Sequence, residues 1–556
     1  MTSIRIFISK FYSELALVSI IFLFFLELIA DFVEAVYALC LLTLSLNENV
    51  LTVFFLFSPV VLVFFKSRGS SNMLFLCLGE LLVLCRVLES LFINVTQLKM
   101  IFAGLGVGCF LMLFPLIIYH SSIRDEQPSN ITLGLGLNIA LMVSILLRAF
   151  GNTIDISTHG IFQIIGWILA IIASFMFIGN YIKAKDEFKE KMSSSEVPNE
   201  FISSWKHILQ VLGLISIIIL LYFAFSSPTV ISRWTEDNYL IITTIIMILL
   251  SILAIIFFYN RNILNKVESW MIWSINGIFV LSLILTIFIH QVPFPTSETA
   301  YPLNAPPTTI LHDLLLLIML LTSPTLIIDF ILLSKQTIKS KPTILRLSGS
   351  FTIASFFFIL MIFSHVFTTV YDYIPEIGPF FRDKFWFVHF IVGLGVILPI
   401  FLVKKKDLIF KQPIINRQVN MKALLIGLIT VGTILGLIIT APYPSTPEGS
   451  SLKVLTYNIR QGYSEEGFKN FDGQLEILKQ VDADIIGLQE SDSVRISGGN
   501  CDPVRYFANQ LNLHSYYGPK TVTGTFGIAL LSKYPIKSTR TFFMYSKGEQ
   551  TACIEA

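Results

Sequence analysis

Leu452–Arg460, LKVLTYNIR, and Ala483–Glu490, ADIIGLQE, are the two stretches that decide how this chain is read. Each is a short apolar run of the kind that forms a buried strand, and each ends on a polar side chain, Asn458 in the first and Glu490 in the second. Between them GQLEILKQVDA places Leu475, Leu478 and Val481 on one helical face, so the segment reads as strand, helix, strand. Two strand ends held side by side bring an amide and a carboxylate to one place. A carboxylate oxygen is a hard ligand suited to Mg²⁺, and an amide orients a phosphate or a bound water without adding charge.

Outward toward the carboxyl end, Asp502 and Pro503 form a helix start, with Val504, Phe507 and Leu511 on its apolar face. GTFGIALLSKYPI, residues 524–536, reads as a further strand closed by a Tyr-Pro turn. Toward the amino end APYPSTPEGSS, residues 441–451, reads as a short semi-rigid linker. The expected division is a membrane domain over 1–440, a linker over 441–451 and an α/β domain over 452–556.

Everything before the linker is membrane in character. Of the 556 residues 54% are hydrophobic and only 14% charged, and the mean hydropathy is +0.74. About thirteen apolar runs, each long enough to cross a hydrocarbon core of roughly 30 Å, recur up to Thr440. LISIIIL and IIMILLSILAIIFF are apolar on every side, which excludes barrel strands and leaves a polytopic α-helical bundle. The first run carries acids in its middle and no cleavage site follows it, so it is not a signal peptide.

Lys and Arg then set the orientation, because cytoplasmic loops collect positive charge. With the amino terminus cytoplasmic, the inside segments hold most of the basic residues, from Arg5 and Lys10 through the Lys183–Lys206 and Lys335–Arg346 groups to Lys404–Lys422. The outside loops hold Lys99, Arg148, Arg233, Arg382 and Lys384, and residues 291–309 hold none. An odd number of spans then places the carboxyl-terminal domain outside the cytoplasm. Basic residues spread over loops in this way form no nucleic-acid-binding stripe, so no nucleic-acid partner is expected.

Ionisable residues within spans are costly and mark candidate sites. LELIADFVEAVY carries Glu27, Asp31 and Glu34 within an arc of about 60°. That acidic face suits a polar headgroup, a cation or Arg86 of the third run; an internal ion-pair network is the alternative. His312 and Asp313 read as a capping or interfacial pair, His514 as a packed loop residue, and Cys501 and Cys553 as a pair able to form a disulfide outside the cytoplasm.

LTYNIR, DIIGLQE and GIALLSKYPI, in this order and spacing, resemble the opening half of the endonuclease/exonuclease/phosphatase superfamily, an α+β four-layer sandwich. The resemblance puts that family's Asn on Asn458 and its metal-binding Glu on Glu490, leaves both as candidate metal ligands, and makes Mg²⁺ or another divalent cation the implied cofactor. More narrowly, GLQESDS, the stretch YFANQLNLHSYYGPKTVTGTFGIALLSKYPI and the first span's LELIADFVEAVYALCLLTLSLNENV resemble the cell wall biogenesis protein 43 family, also described as PGAP-two-interacting-protein-like, which remodels the lipid of GPI anchors. It implies a membrane lipid or GPI-type glycolipid as partner and a lumenal phosphodiesterase-like domain; Arg460, two residues past Asn458, is a further catalytic candidate as a charge partner for the phosphate. The sequence stops at EQTACIEA, where the strand leading to the superfamily's first catalytic His begins. The carboxyl-terminal domain therefore reads as truncated, and no hydrolysis is expected from it. A non-catalytic lipid- or glycan-binding, or lipid-translocating, scaffold is the alternative function.

Overall fold

The computed structural model describes residues 2–43, 46–65, 68–124, 129–190, 204–300, 302–369, 376–410, 419–445, 451–491, 494–546 and 550–556. Residues 446–450 of the expected linker, and Lys66, Lys191, Lys411 and Arg417 among the orientation signals, lie outside the described residues.

Among the described residues ten helices are long and apolar enough to cross a membrane, against the thirteen runs expected. The run around Phe57 divides into an 11-residue helix, Leu46–Leu56, and a 3₁₀ segment with Pro59 in its first turn. Proline fixes φ and has no amide hydrogen to donate, so it suits a helix start better than a helix interior. The run around Leu82 is a 24-residue helix, Arg68–Leu91, but Glu80, Arg86 and Glu89 reduce its apolar character. The run around Val396 is Phe385–Phe401, apolar but only 17 residues long. The run around Met319 is two helices, Ile310–Thr322 and Thr325–Lys339, joined at Ser323–Pro324.

The first helix, Thr2–Thr43, is the axis of the bundle. Its central residues Phe25, Leu28 and Ile29 are wholly buried, because the Thr96–Arg124 and Ser129–Phe150 helices pack along it. Gly104 lets the Phe32 ring approach so closely that an added Cβ would lie 2.6 Å from it. Small residues at such crossings are how helices pack in lipid, where no hydrophobic force draws them together. By contrast Ile161 and Phe175 on the Gly160–Ile182 span, and Ile439 on Met421–Ile439, are largely exposed, as hydrocarbon-facing side chains are.

The tail is an α/β unit. Strands β1 (Leu303–Asn304), β2 (Val454–Asn458), β3 (Ile485–Gln489), β4 (His514–Tyr517), β5 (Ile528–Ser532), β6 (Arg540–Met544) and β7 (Thr551–Glu555) form two sheets, ordered β2-β3-β5-β4 and β1-β6-β7. β2 and β3 are parallel and are joined by the Phe471–Val481 helix, the strand–helix–strand unit read from the sequence. Ile486 and Leu488 of β3 and Ala529 and Leu531 of β5 bury one sheet face under Leu475 and Leu478 of that helix and Val504 and Phe507 of the Pro503–Leu511 helix. Asp502 caps the latter, accepting from Arg505 N at 3.0 Å.

At the entrance to β3, Asp484 accepts from Lys453 N at 2.8 Å and from Lys533 Nζ at 3.1 Å. These donors hold its carboxyl below the usual carboxylate range, the backbone amide foremost. A depressed folded value gives stability that is present above the unfolded value and is lost as pH falls through the folded one. Acid melting curves of the wild-type chain should therefore fall more steeply below about pH 4 than those of Asp484→Asn; parallel curves would refute this contribution.

The tail is seated on the bundle as one body. Val494, Ile496 and Val522 of its loops belong to the bundle's own apolar core. Asn500 Nδ2 donates to Tyr222 O at 2.8 Å, Ser227 Oγ donates to Asn500 O at 2.7 Å, and Asn509 Nδ2 donates to Asn152 Oδ1 at 2.7 Å. Arg233 stacks over the Tyr517 ring at 3.9 Å. The Pro-rich loop before Ile310 supplies β1, whose Leu303 and Asn304 pair antiparallel with Phe543 and Phe542 of β6, and Phe294 packs on Phe543 with ring centres 4.8 Å apart.

Twenty-three residues of helix separate Phe11 from Glu34, which lies beside Gly499 of the tail, a rise of about 35 Å. The tail and the start of the first span thus lie at opposite ends of the bundle. Lys422, over the Tyr12 ring at 3.9 Å, and Arg261, over Phe11 at 4.5 Å, gather at the end away from the tail.

Candidate functional site

The parallel register of β2 and β3 places Asn458 opposite Gln489, one residue before Glu490. Asn458 Nδ2 donates to Glu490 Oε1 at 2.8 Å, so the two strand-end groups meet. The turn after β2 wraps onto the turn after β3: Ile459 N donates to Gln489 O at 3.1 Å and Gln461 N to Glu490 O at 2.8 Å. Arg460, Gln461 and Glu490 all take left-handed backbone conformations, with φ of 49°, 54° and 48°. For non-glycine residues each such conformation costs about 1–3 kcal/mol, and such strain concentrates at functional sites. Here the reciprocal turn contacts hold all three in place.

These residues line an open cleft of about 620 Å³ whose other walls include Gln489, Thr525, Gly527 and Gln550. Arg460 lies on its wall, with Nη1 donating to Ser464 O at 3.5 Å and its backbone N to Asn458 Oδ1 at 2.8 Å. Both ends of the Asn458 amide are therefore engaged, which suits it to orient Glu490 more than to bind a metal itself. One carboxylate among neutral oxygen-bearing side chains fits a Mg²⁺ ion that keeps waters and takes phosphate oxygens for its remaining positions. Among the described residues no group of three His, Cys, Asp or Glu side chains forms a metal cage. Among the described residues that line the cleft there is no imidazole, and Glu490 is the one carboxylate.

The acids of the first span lie elsewhere, in a buried ion-pair network. Arg86 Nε meets Glu27 Oε2 at 2.7 Å, Arg86 Nη1 meets Glu89 Oε2 at 3.3 Å, and Lys99 Nζ meets both Asp31 and Glu34 at 2.9 Å. Ser157 Oγ accepts from Arg86 Nη2 at 2.8 Å. Sequence reasoning placed Lys99 among the loop charges and missed it as a partner. Its place at the foot of an apolar run, with the acidic face of the first span unmatched, was the available signal.

The remaining candidates are structural. His312 completes a capping box with Thr309 at the start of the Ile310–Thr322 helix. His514 opens β4, paired with Ser532, instead of lying in a loop. Cys501 and Cys553 are both free thiols; Cys501 is buried, and desolvation pushes it up to about 11.

Residues 450–556 match the family model described as "PGAP2IP, C-terminal nuclease-like domain". Among curated proteins the chain is 27% identical over 217 residues to Protein cwh43 of Schizosaccharomyces pombe, a match covering 36% of this chain and 22% of that protein's length. Among solved structures it is similar to the nucleoside transporter NupG at 15% identity and a TM-score of 0.36, covering 72% of this chain and 100% of that one, a likeness that carries no argument.

Proposed function

The two sequence matches support the Cwh43/PGAP2IP-like family, with a C-terminal nuclease-like domain, as the family of this chain, and from that premise we propose that the protein acts in remodelling the lipid of GPI-type anchors, its tail being a divalent-cation-dependent phosphodiesterase domain that works on a lipid phosphodiester on the extracytoplasmic side. The observation that carries this reading is the 2.8 Å contact between Asn458 and Glu490 in an open, strained cleft on a tail fixed to a membrane bundle. Glu490 would hold the ion, Asn458 would fix the carboxylate's direction, and Arg460 would add positive charge beside a phosphate. When bound, a Mg²⁺ ion polarises a phosphoryl oxygen and offsets the charge that develops on it. The orientation rests on the basic residues gathered at the end away from the tail.

Among the described residues lining the cleft there is no imidazole and no carboxylate besides Glu490. The test is an assay of the whole protein in lipid vesicles. Release of a phosphorylated headgroup should require Mg²⁺ or Mn²⁺ and stop in EDTA; undiminished release in chelator would overturn the reading. A second reading, a scaffold that grips a phosphorylated glycolipid without cutting it, is favoured by the seating of the tail on the bundle through Asn500, Ser227 and Asn509. It predicts cation-dependent lipid binding with no product from the full-length protein.

A further inference from the structure

The strained turn at the cleft is supported from outside the cleft. Arg460, Gln461 and Gly462 follow one another with φ of 49°, 54° and 86°. Neither helix nor sheet pairs the carbonyls of such a run, so each needs a donor of its own. Ile459 O accepts from Gly462 N at 2.7 Å, Arg460 O from Tyr463 N at 2.9 Å, and Gly462 O from Asn470 N at 2.9 Å. Gln461 O accepts from the ammonium of Lys469 at 2.5 Å.

A small hairpin delivers that ammonium. Tyr463 and Lys469 pair antiparallel, and Ser464 N donates to Phe468 O at 2.8 Å across the loop between them. The chain thus returns beside the turn it has just left. Lys469 Nζ lies 3.8 Å from the centre of the Tyr463 ring and 5.4 Å from that of Phe471, and the ring faces attract it. Tyr463 is fixed in turn, its hydroxyl donating to Ser497 O at 2.9 Å. A hydrogen bond given by a charged donor is about twice as strong as a neutral one, and here the donor is seated before it acts.

Gln461 is consequently gripped on both sides of its α-carbon. Its N–H is given to Glu490 O at 2.8 Å and its carbonyl is held by Lys469, which together fix φ and ψ. The residue it braces, Glu490, is itself left-handed, and the residue before it, Arg460, stands on the cleft wall. Freeing the Gln461 carbonyl would let the whole turn relax and carry the brace away from Glu490. We propose, on the reading of the cleft as a divalent-cation site, that Lys469 is its positioning residue: acting through Gln461, it holds the turn that aims the Glu490 carboxylate at the ion.

The test uses the whole chain in phosphatidylcholine nanodiscs with Mn²⁺ as the probe. Free Mn²⁺ is titrated by electron paramagnetic resonance, and the binding that Glu490→Gln removes is the cleft's. Lys469→Met keeps an unbranched stem against the rings and deletes the donor. It should weaken that binding about tenfold and speed amide hydrogen exchange at Gln461–Tyr463 by about tenfold. Lys469→Arg, which restores a charged donor, should recover most of both. Should Lys469→Met not fold, Tyr463→Leu removes the ring seat and should move both readouts about two- to threefold the same way, with Tyr463→Phe as its control. Unchanged exchange would overturn the proposal. Faster exchange with Mn²⁺ affinity within twofold of wild type would overturn it too, since Lys469 would then serve only the hairpin. Wild type that binds Mn²⁺ no better than Glu490→Gln would instead refute the cation site itself, and the role of Lys469 with it.

Discussion

Glu490→Gln in the full-length protein should lower turnover of a lipid phosphodiester by about 10²–10³-fold while leaving its melting temperature nearly unchanged. The carboxylate lies at the mouth of an open cleft and is not part of the tail's apolar core, so little packing depends on its charge. Its proposed work is to hold a cation against a phosphate, which a neutral amide does poorly. Asn458→Ala should cost less, about 10–100-fold, because it removes the 2.8 Å contact that directs Glu490 without removing the ligand itself. The loss in Asn458→Ala should be partly restored by raising Mg²⁺, and the loss in Glu490→Gln should not. Activity of Glu490→Gln within a few-fold of wild type would sink the assignment of chemistry to the tail.

The second large effect belongs to the bundle. Arg86→Met should destabilise the chain by about 3–5 kcal/mol, since it strands Glu27 and Glu89 without their shared cation. Both carboxyls are nearly inaccessible, at 3% and 0% side-chain exposure, so water cannot replace the guanidinium. Adding Glu27→Gln and Glu89→Gln to Arg86→Met should recover most of the loss, because the cost lies in the uncompensated charge. Denaturation in detergent micelles reads both variants. A triple variant no more stable than Arg86→Met would show that the network serves packing and not charge balance.

The tail's framework was legible because its signals are local. The short apolar runs in LKVLTYNI and DIIGLQE, the helical spacing of Leu475 and Leu478 and the Asp502–Pro503 cap each act within a few residues, and each element formed where expected. The meeting of Asn458 and Glu490 followed from two adjacent parallel strands. The difference between thirteen apolar runs and ten spanning helices among the described residues has the opposite cause: apolar run length does not reveal that Pro59 breaks one helix or that Glu80, Arg86 and Glu89 interrupt another. Partners distant in sequence, such as Lys99 for Asp31 and Glu34, were legible only as unmatched charges. The left-handed Arg460 and Glu490 had no signal at all, since neither is a residue type that favours that conformation.

The strand lent by the Pro-rich loop bears on how this molecule is made and handled. The tail's second sheet is assembled from two distant parts of the polypeptide, so a soluble version cut at the linker would bare the β6 rim and the greasy side chains of Val494, Ile496 and Val522. Such a product would be prone to clump. During synthesis the loop emerges well before its partner and must wait, unpaired, until β6 arrives, which makes that stretch a natural place for a chaperone to hold.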